Sequence, residues 1–366
     1  MPTNKALPPK TPLWAKLTKH QIILPIAALL MLALFNLIAD PSFFRIEFNE
    51  NSEGYKVLSG NLISVIDSGS ELAILALGMT LVTAASGGQD ISVGAAIAIS
   101  GSVLLRVLCG GETTAYKLYA PIIVGLLIAC LVSMAFGAFN GALVAFFKIQ
   151  PMVATLILFT AGRSIAAWIN HNELPNLKVD SFAYFGNYIP GVPIPTPFLI
   201  AVACFIVTWL IMKFTNISLY VQSVGVNEKT SRLNGLNPEF IKLMTYVFLG
   251  LCVAIAAFIK VSRISTINYS VIAKDIEMDA ILAVALGGNA LGGGKFSISS
   301  SVLGAYVIQF LTTTLYKFEV KSTALPAYKA VVVIILVVLS APVVREKLSR
   351  LGKKLKKSKE PAKQAA

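Results

Sequence analysis

The sequence predicts an all-α fold: a polytopic membrane helix bundle of about ten transmembrane helices, some of them broken. Of its 366 residues, 56% are hydrophobic and 13% are charged, and the mean hydropathy is +0.74. Soluble domains carry roughly 25% charged residues, so this composition excludes a water-soluble core. Apolar stretches that approach the roughly 20 residues of a membrane-spanning helix recur along the chain. The bilayer is therefore the expected solvent.

The first apolar segment, Gln21–Ala39, follows a basic leader. It is longer than the core of a signal peptide and ends at Asp40-Pro41 without a cleavage pattern, which predicts an uncleaved span. The chain then divides into three predicted regions: a basic N-terminus (1–20), a transmembrane domain (21–344) and a basic tail (345–366).

Nine further apolar segments follow, separated by polar, glycine-rich or proline-rich connections that end each helix. The ten predicted spans, in chain order, are Gln21–Ala39, Val57–Ser86, Ile91–Cys109, Leu118–Phe147, Met152–Asn170, Phe198–Phe214, Ile241–Val261, Met278–Leu291, Ser297–Tyr316 and Ala327–Val344. Eight spans, with two of the marginal segments re-entrant, is the main alternative.

The positive charge collects at the two ends of the chain. An even number of spans puts both termini on one side, and the positive-inside rule makes that side the cytoplasm. The formal net charge of +13 is therefore read as a tail that faces membrane lipid, and nucleic acid is not expected as a partner. The loops Pro41–Lys56 and His171–Pro197 then lie outside, as docking surfaces or plain connectors.

The segment from Gly78 to Gly94 contains the first break. Its apolar helix is interrupted at Gly87, Gly88 and Asp90 before small residues resume. Non-helical backbone at membrane depth persists only where protein or a water-filled cavity satisfies its polar groups. This break is expected either to border a substrate pathway or to be a tight turn between spans, with Asp90 capping the next helix.

A second break, at Gly287, Gly288 and Asn289, lies in the other half of the chain and continues to Gly294. Paired, glycine-interrupted segments in two halves point to the substrate region of a transporter, and the alternative for this break too is a cytoplasmic turn between spans. A nucleotide-binding loop is excluded here, because Asn289 replaces its first glycine and Phe296 its Ser or Thr.

Three polar residues inside apolar spans complete the pathway candidates. Arg163 is costly at membrane depth, so it is expected to face the bundle interior, where it contacts either substrate or a structural carbonyl or carboxylate. Asn140 and Thr155, in the fourth and fifth spans, are assigned to the pathway as well. Only two histidines occur, and neither lies in the core of a span. The chain is therefore not expected to be an enzyme or to bind a metal or cofactor.

The polar connection near residues 215–240 is predicted to form a short helix. Glu228 and Arg232 are spaced by one helical turn, and Gly235 ends it. Such a helix is either a docking element for a motor subunit or a solvated connector.

Three ordered motifs resemble one family, the permease subunits of ribose-type ABC monosaccharide importers. The resemblance covers about residues 57–344, and the segments 148–158 and 244–252 look closest to the permeases of galactofuranose importers. The motifs are Gly78-Met79-Thr80 with Gly87-Gly88-Gln89-Asp90-Ile91-Ser92-Val93-Gly94, then Gly225-x-Asn227-Glu228 with Arg232-x-x-Gly235, and Asp279-Ala280-Ile281 with Gly287-Gly288.

The resemblance implies a multi-pass protein of the bacterial inner membrane that carries a monosaccharide, galactofuranose or a similar sugar such as ribose, into the cytoplasm. It implies that Gly225, Asn227, Glu228, Arg232 and Gly235 belong to a loop coupled to a cytoplasmic ABC ATPase subunit. ATP is then used by that subunit. An extracytoplasmic sugar-binding protein and a second permease subunit, identical or paralogous, complete the system.

An ion-coupled secondary transporter of a small polar solute is the alternative. It rests on the broken helices with Asp90 and Asp279, because acids within the membrane can relay protons.

Overall fold

The computed structural model describes residues 21–50 and 54–340. The predictions for the basic N-terminus (1–20), for the basic tail (345–366) and for the last residues of the tenth span (341–344) lie outside the described residues. Helices dominate the described part, as the sequence predicts, and several long apolar helices form the bundle.

Each predicted span contains a helix, and three short helices lie between spans. The thirteen helices of the described residues are α1 (Ile23–Ala39), α2 (Asn61–Ser86), α3 (Val93–Leu108), α4 (Ile122–Ala145), α5 (Pro151–Ile169), α6 (Asp180–Ala183), α7 (Thr196–Phe214), α8 (Ile217–Val226), α9 (Glu228–Leu233), α10 (Pro238–Ile264), α11 (Ile276–Leu286), α12 (Ile298–Lys317) and α13 (Leu325–Ser340). Six of them, α2, α4, α5, α7, α10 and α12, are long and apolar enough to cross a membrane.

Local chemistry explains where helix ends differ from the predicted spans. The helix of the seventh span begins at Pro238, earlier than predicted, because Asn237 accepts a 3.0 Å bond from the Phe240 amide and proline suits the first turn. The second span was predicted to begin at Val57, which is wrong for the helix, because Lys56–Ser59 forms a strand. The eighth span is also shorter, since α11 stops before Gly287.

The long helices form two groups. In α2, α10 and α12, 72%, 67% and 67% of the most apolar 18-residue stretch is buried inside the protein. In α4, α5 and α7 the corresponding shares are only 22%, 28% and 17%. The second group exposes large apolar side chains such as Leu131, Leu156 and Val207. In water such faces would be an aggregation hazard, so they indicate contact with lipid or with another membrane subunit.

The connections collect at two ends of the bundle. At one end, which we call the junction end, Gln21 donates to the Gly288 carbonyl (3.3 Å) and Lys148 pairs with Glu228 (2.7 Å). At the other, the hairpin end, Lys317 pairs with Asp40 (3.2 Å).

Two small sheets at the hairpin end are not anticipated by the sequence analysis. Strands β1 (Glu47–Glu50) and β2 (Lys56–Ser59) form an antiparallel pair, with Glu47 opposite Ser59. Strands β3 (Thr114–Ala115) and β4 (Asn176–Leu177) pair in parallel. The hairpin is fixed to the second long loop by a 3.1 Å bond from the Leu58 amide to the Pro193 carbonyl. The two predicted outer loops therefore form one structured surface.

Candidate functional site

The two glycine breaks meet in space, although about two hundred residues separate them. The Gly294 amide donates to the Ala84 carbonyl (2.9 Å), and Gln89 Nε2 donates to the Leu291 carbonyl (3.0 Å). Gly87 ends α2 with φ +67°, and a Cβ there would lie 2.9 Å from the Gly292 oxygen. Only glycine combines that backbone conformation with so close an approach. We call residues 84–92 and 287–294 together the glycine junction.

Helix α8 presses its last turn onto this junction. A Cβ on Gly225 would overlap the Ala84 carbonyl oxygen and lie 2.5 Å from the Gly294 amide nitrogen. The Gly225 backbone thus contacts both breaks at once. The loop predicted to couple to an ATPase and the two breaks predicted to border the pathway form one continuous contact.

Asp90 ties the start of α3 to α4. Its Oδ1 accepts bonds from the Ser92 amide (2.7 Å) and the Ser92 hydroxyl (2.6 Å). Asn140 Nδ2 donates to Asp90 Oδ2 (3.3 Å) and to Ser92 Oγ (2.9 Å). Thr155, from α5, accepts a 3.2 Å bond from the Ile91 amide. Three predicted pathway residues therefore lie together and join three helices.

The space around Asp90 is small. Asp90 is 3% exposed, and the cavity beside it measures about 10 Å³, enough for roughly one water molecule. Gly88 packs on Pro151, which leaves no gap beside α5. In this conformation the residues hold the helices together and do not leave room for a sugar.

The second break is organised by Asn289. Its Nδ2 donates to Ser301 Oγ (2.7 Å), and its Oδ1 accepts from the Ser297 amide (2.7 Å). A Cβ on Gly287 would lie 2.8 Å from the Ser300 backbone. The small residues of α12 thus allow the close approach of α11.

Glu228 is the centre of a charged cluster at the junction end. It begins α9, whose cap is the Asn227 side chain (3.0 Å to the Thr230 amide). Lys148 and Lys242 reach Glu228 at 2.7 and 2.6 Å, from the α4–α5 connection and from α10. Their hydrogen bonds lower the pKa of the Glu228 carboxyl, so it is ionised at neutral pH.

Arg232 and Glu239 complete this coupling cluster. Arg232 lies 3.5 Å from Glu228, one helical turn away, and also pairs with Glu239, which Lys148 reaches at 2.9 Å. The turn predicted over Glu228–Arg232 is present as α9, and Gly235 follows it with φ +82°. These ion pairs join α9 to the α4–α5 connection and to α10, and so fix the orientation of α9.

Arg163 supports a segment of irregular backbone. Its Nη1 donates to the carbonyls of Tyr269 and Ile272, each at 2.9 Å. These belong to residues 265–275, between α10 and α11, which we call the descending segment. Its Ile267 packs at Gly101 of α3 and its Ala273 carbonyl at Gly94, so it descends about 10 Å along α3. Arg163 therefore has the backbone carbonyl partner that was one of the two expectations.

A charged cavity of about 320 Å³ lies beside the descending segment, among α2, α10, α11, α12 and α13. On one side, Glu71 contacts Lys260 (2.6 Å) and Arg263 (2.8 Å), and Arg263 also contacts Asp67 (3.0 Å). Glu71 is 2% exposed, and these two cations compensate the cost of burying its carboxylate.

On the other side of the cavity, Lys329 of α13 contacts Asp279 of α11 at 2.7 Å. Lys274, from the descending segment, also lines the cavity. The sequence analysis does not include this site, although a signal exists: Glu71, Lys260, Asp279 and Lys329 are charges within predicted apolar spans, where they are expected to face a polar interior.

Comparisons with known proteins relate helices α2 to α13 to one family. The family described as "Branched-chain amino acid transport system / permease component" matches residues 61–341. No solved structure gives a significant match.

Three curated relatives are permeases for sugars. A fructose import permease protein of Bifidobacterium longum is 33% identical over 93% of this chain and 93% of its own length. A galactofuranose transporter permease protein of Escherichia coli is 34% identical over 86% of this chain and 88% of its own. The ribose import permease protein of the same organism is 32% identical, over 85% and 91%.

Proposed function

The chain belongs to the family of transport-system permease components described above, and from this premise we propose that it is the multi-pass inner-membrane subunit through which an ATP-driven ABC importer brings a monosaccharide into the cytoplasm. The observation that carries the proposal is similarity over at least 85% of the chain to permeases for fructose, galactofuranose and ribose. The sugar is one of these or a close relative of them.

The remaining parts of the importer are separate proteins. An extracytoplasmic sugar-binding protein delivers the sugar at the hairpin end, and a second permease subunit, identical or paralogous, pairs with this chain. A cytoplasmic ABC ATPase subunit uses ATP at the junction end. The chain itself binds no cofactor and catalyses no reaction. Ten membrane crossings, with both termini in the cytoplasm, accompany this assignment.

The coupling cluster transmits the motion of the ATPase to the pathway. Helix α9 is exposed at the junction end, and its partners Lys148 and Lys242 connect it to α4–α5 and α10. Through Gly225, α8 contacts both glycine breaks. A displacement of α9 therefore reaches the two breaks directly. We assign the breaks, with Asp90, Asn140, Thr155 and Asn289, to the inner closure of the sugar pathway.

In this proposal Arg163 has a structural role and does not contact the sugar. Two backbone carbonyls already occupy it, so it shapes the pathway through the descending segment.

The alternative, an ion-coupled secondary transporter, needs acids free to bind and release the ion. Asp279 is paired with Lys329 at 2.7 Å, and Asp90 accepts bonds from Ser92 and Asn140. These contacts favour structural tasks for both acids, and the relatives favour the ABC importer.

Reconstitution tests the proposal. The chain is placed in proteoliposomes with the ATPase, the binding protein and any second permease that co-purify with it, and uptake of fructose, ribose and galactofuranose is followed with and without ATP. We expect uptake of at least one sugar that requires both ATP and the binding protein. Uptake driven by an ion gradient in the chain alone would contradict the proposal.

A further inference from the structure

We propose that the charged cavity is a binding subsite for one neutral monosaccharide, held through its hydroxyl groups by Glu71, Lys260, Lys274, Asp279 and Gln309. This inference rests on the proposed function for the choice of ligand. It adds a place within the single chain where the sugar binds during transport.

The depth of the charges indicates that the cavity holds polar contents. Glu71 is ten residues into α2, about 15 Å from the start of that helix. Lys260 meets it from α10, within the last turns of that helix. Charged side chains at such depth are retained where they face water or a ligand, because an apolar surrounding would make them too costly.

The cavity wall includes backbone as well as side chains. Val271, Ala273 and Lys274 of the descending segment line it. Irregular backbone inside a membrane protein is tolerated where it lines a cavity or is satisfied by protein, and Arg163 satisfies the far side of this segment. The segment is thus held in place by α5 while its other face is turned to the cavity.

The wall offers hydroxyl groups both hydrogen-bond acceptors and hydrogen-bond donors. Glu71 and Asp279 supply acceptors, while Lys260 retains donors beyond the one bonded to Glu71. Within the described residues, the side chains of Lys274 and Gln309 have no hydrogen-bond or ion-pair partner. A hydroxyl both donates and accepts, so a sugar can bond to both kinds of group.

Size and position agree with this ligand. About 320 Å³ lies at the lower end of the roughly 300–1,000 Å³ of small-molecule pockets, which suits a single ring rather than a larger solute. The cavity lies toward the hairpin end, while the glycine junction is packed at the other. In this conformation a sugar would therefore be held toward the hairpin end, while the glycine junction closes the pathway at the other end.

Cysteine labelling of the full-length chain in membrane vesicles tests the subsite. Ser68 lines the cavity, and Ser68→Cys changes only one atom of the side chain. Ser70→Cys is the matched control, because Ser70 is fully buried on the same helix and does not line the cavity. A negatively charged, membrane-impermeant methanethiosulfonate is applied from the hairpin side, and the modified peptide is quantified against the wild-type chain with its four native cysteines.

We expect Ser68→Cys to react, Ser70→Cys not to react, and D-fructose, D-ribose or D-galactose to slow the reaction several-fold while gluconate does not. No reaction at Ser68→Cys, equal reaction with and without every sugar, or protection by gluconate alone would overturn the subsite. The labelling needs neither ATP nor partner proteins. A failure here with intact ATP-driven uptake refutes only the subsite, whereas absent uptake refutes the proposed function.

A second variant measures the subsite in transport. In the reconstituted importer, Gln309→Ala should raise the KM for sugar uptake several-fold and leave the maximal rate nearly unchanged, because the amide contacts only the bound sugar. A reduced maximal rate with an unchanged KM would contradict a binding role.

Discussion

Gly225 shows how much one missing side chain matters at the junction. Its α-carbon faces the Ala84 carbonyl and the Gly294 amide, so the contact among α8, α2 and the second break exists only because no Cβ intervenes. The coupling of α8 to the pathway therefore depends on the short distances from Gly225 to the Ala84 carbonyl and the Gly294 amide.

Replacing Gly225 therefore gives the first prediction. Gly225→Ala forces α8 away from the Ala84 carbonyl, and we expect a several-fold loss of sugar-stimulated ATP hydrolysis in the reconstituted importer, with basal hydrolysis and membrane insertion retained. Gly292→Ala is the matched control, because a Cβ there meets nothing within 4 Å. Equal stimulation in both variants would exclude coupling through this contact.

Asp90 gives the second prediction. In Asp90→Asn, one oxygen can still accept from Ser92, but the new amide faces the Asn140 amide, which places two donors together. We expect sugar uptake to fall several-fold and the thermal unfolding temperature to fall, because the two facing donors are buried. Uptake equal to that of the wild-type chain would reduce Asp90 to a helix cap.

At the scale of elements, α9 is the part whose orientation depends on charge. Glu228→Lys puts a cation between Lys148 and Lys242, so two attractions become repulsions. We expect sugar-stimulated ATP hydrolysis to be abolished while the chain still inserts into the membrane. Lys229→Glu, on the exposed side of the same helix, should retain stimulation. Normal hydrolysis in Glu228→Lys would exclude a docking role for α9.

The descending segment depends on a side chain from another helix. Arg163→Ala leaves the Tyr269 and Ile272 carbonyls without their partner, and a buried polar group left unsatisfied costs roughly 1–3 kcal/mol. We expect a lower unfolding temperature in detergent and reduced uptake. Thr160→Ala, one turn earlier on α5 and bonded only within its own helix, is the control. If both variants unfold at the same temperature as the wild-type chain, Arg163 does not hold the segment.

At the scale of the whole molecule, the sidedness of the two ends can be measured. A single cysteine at Lys178, near β4, should react with an impermeant maleimide on intact cells, because the hairpin end is assigned to the outside. A cysteine at Asn234, beside α9, should react only after the membrane is opened. The reverse pattern would invert the assigned topology.

Much of the helical organisation could be predicted, because hydrophobic length and helix-ending residues are local properties of the sequence. The ten apolar segments, the helical turn at Glu228 and the two glycine breaks are of this kind. The cavity is not, since Lys260 and Glu71 are 189 positions apart and only the packed bundle brings them together. The two small sheets could not be predicted either, because strands of two to four residues are too short to show a recognisable alternation of polar and apolar residues.

Helix α2 spans from the charged cavity at Glu71 to the glycine junction at Ala84 without interruption, a distance of about 20 Å. A continuous helix of this kind couples its two ends. If docking of the ATPase weakens the affinity of the cavity for a sugar, an occupied cavity must weaken the affinity for the ATPase by the same factor. The ATPase would then sense the presence of cargo through this binding equilibrium.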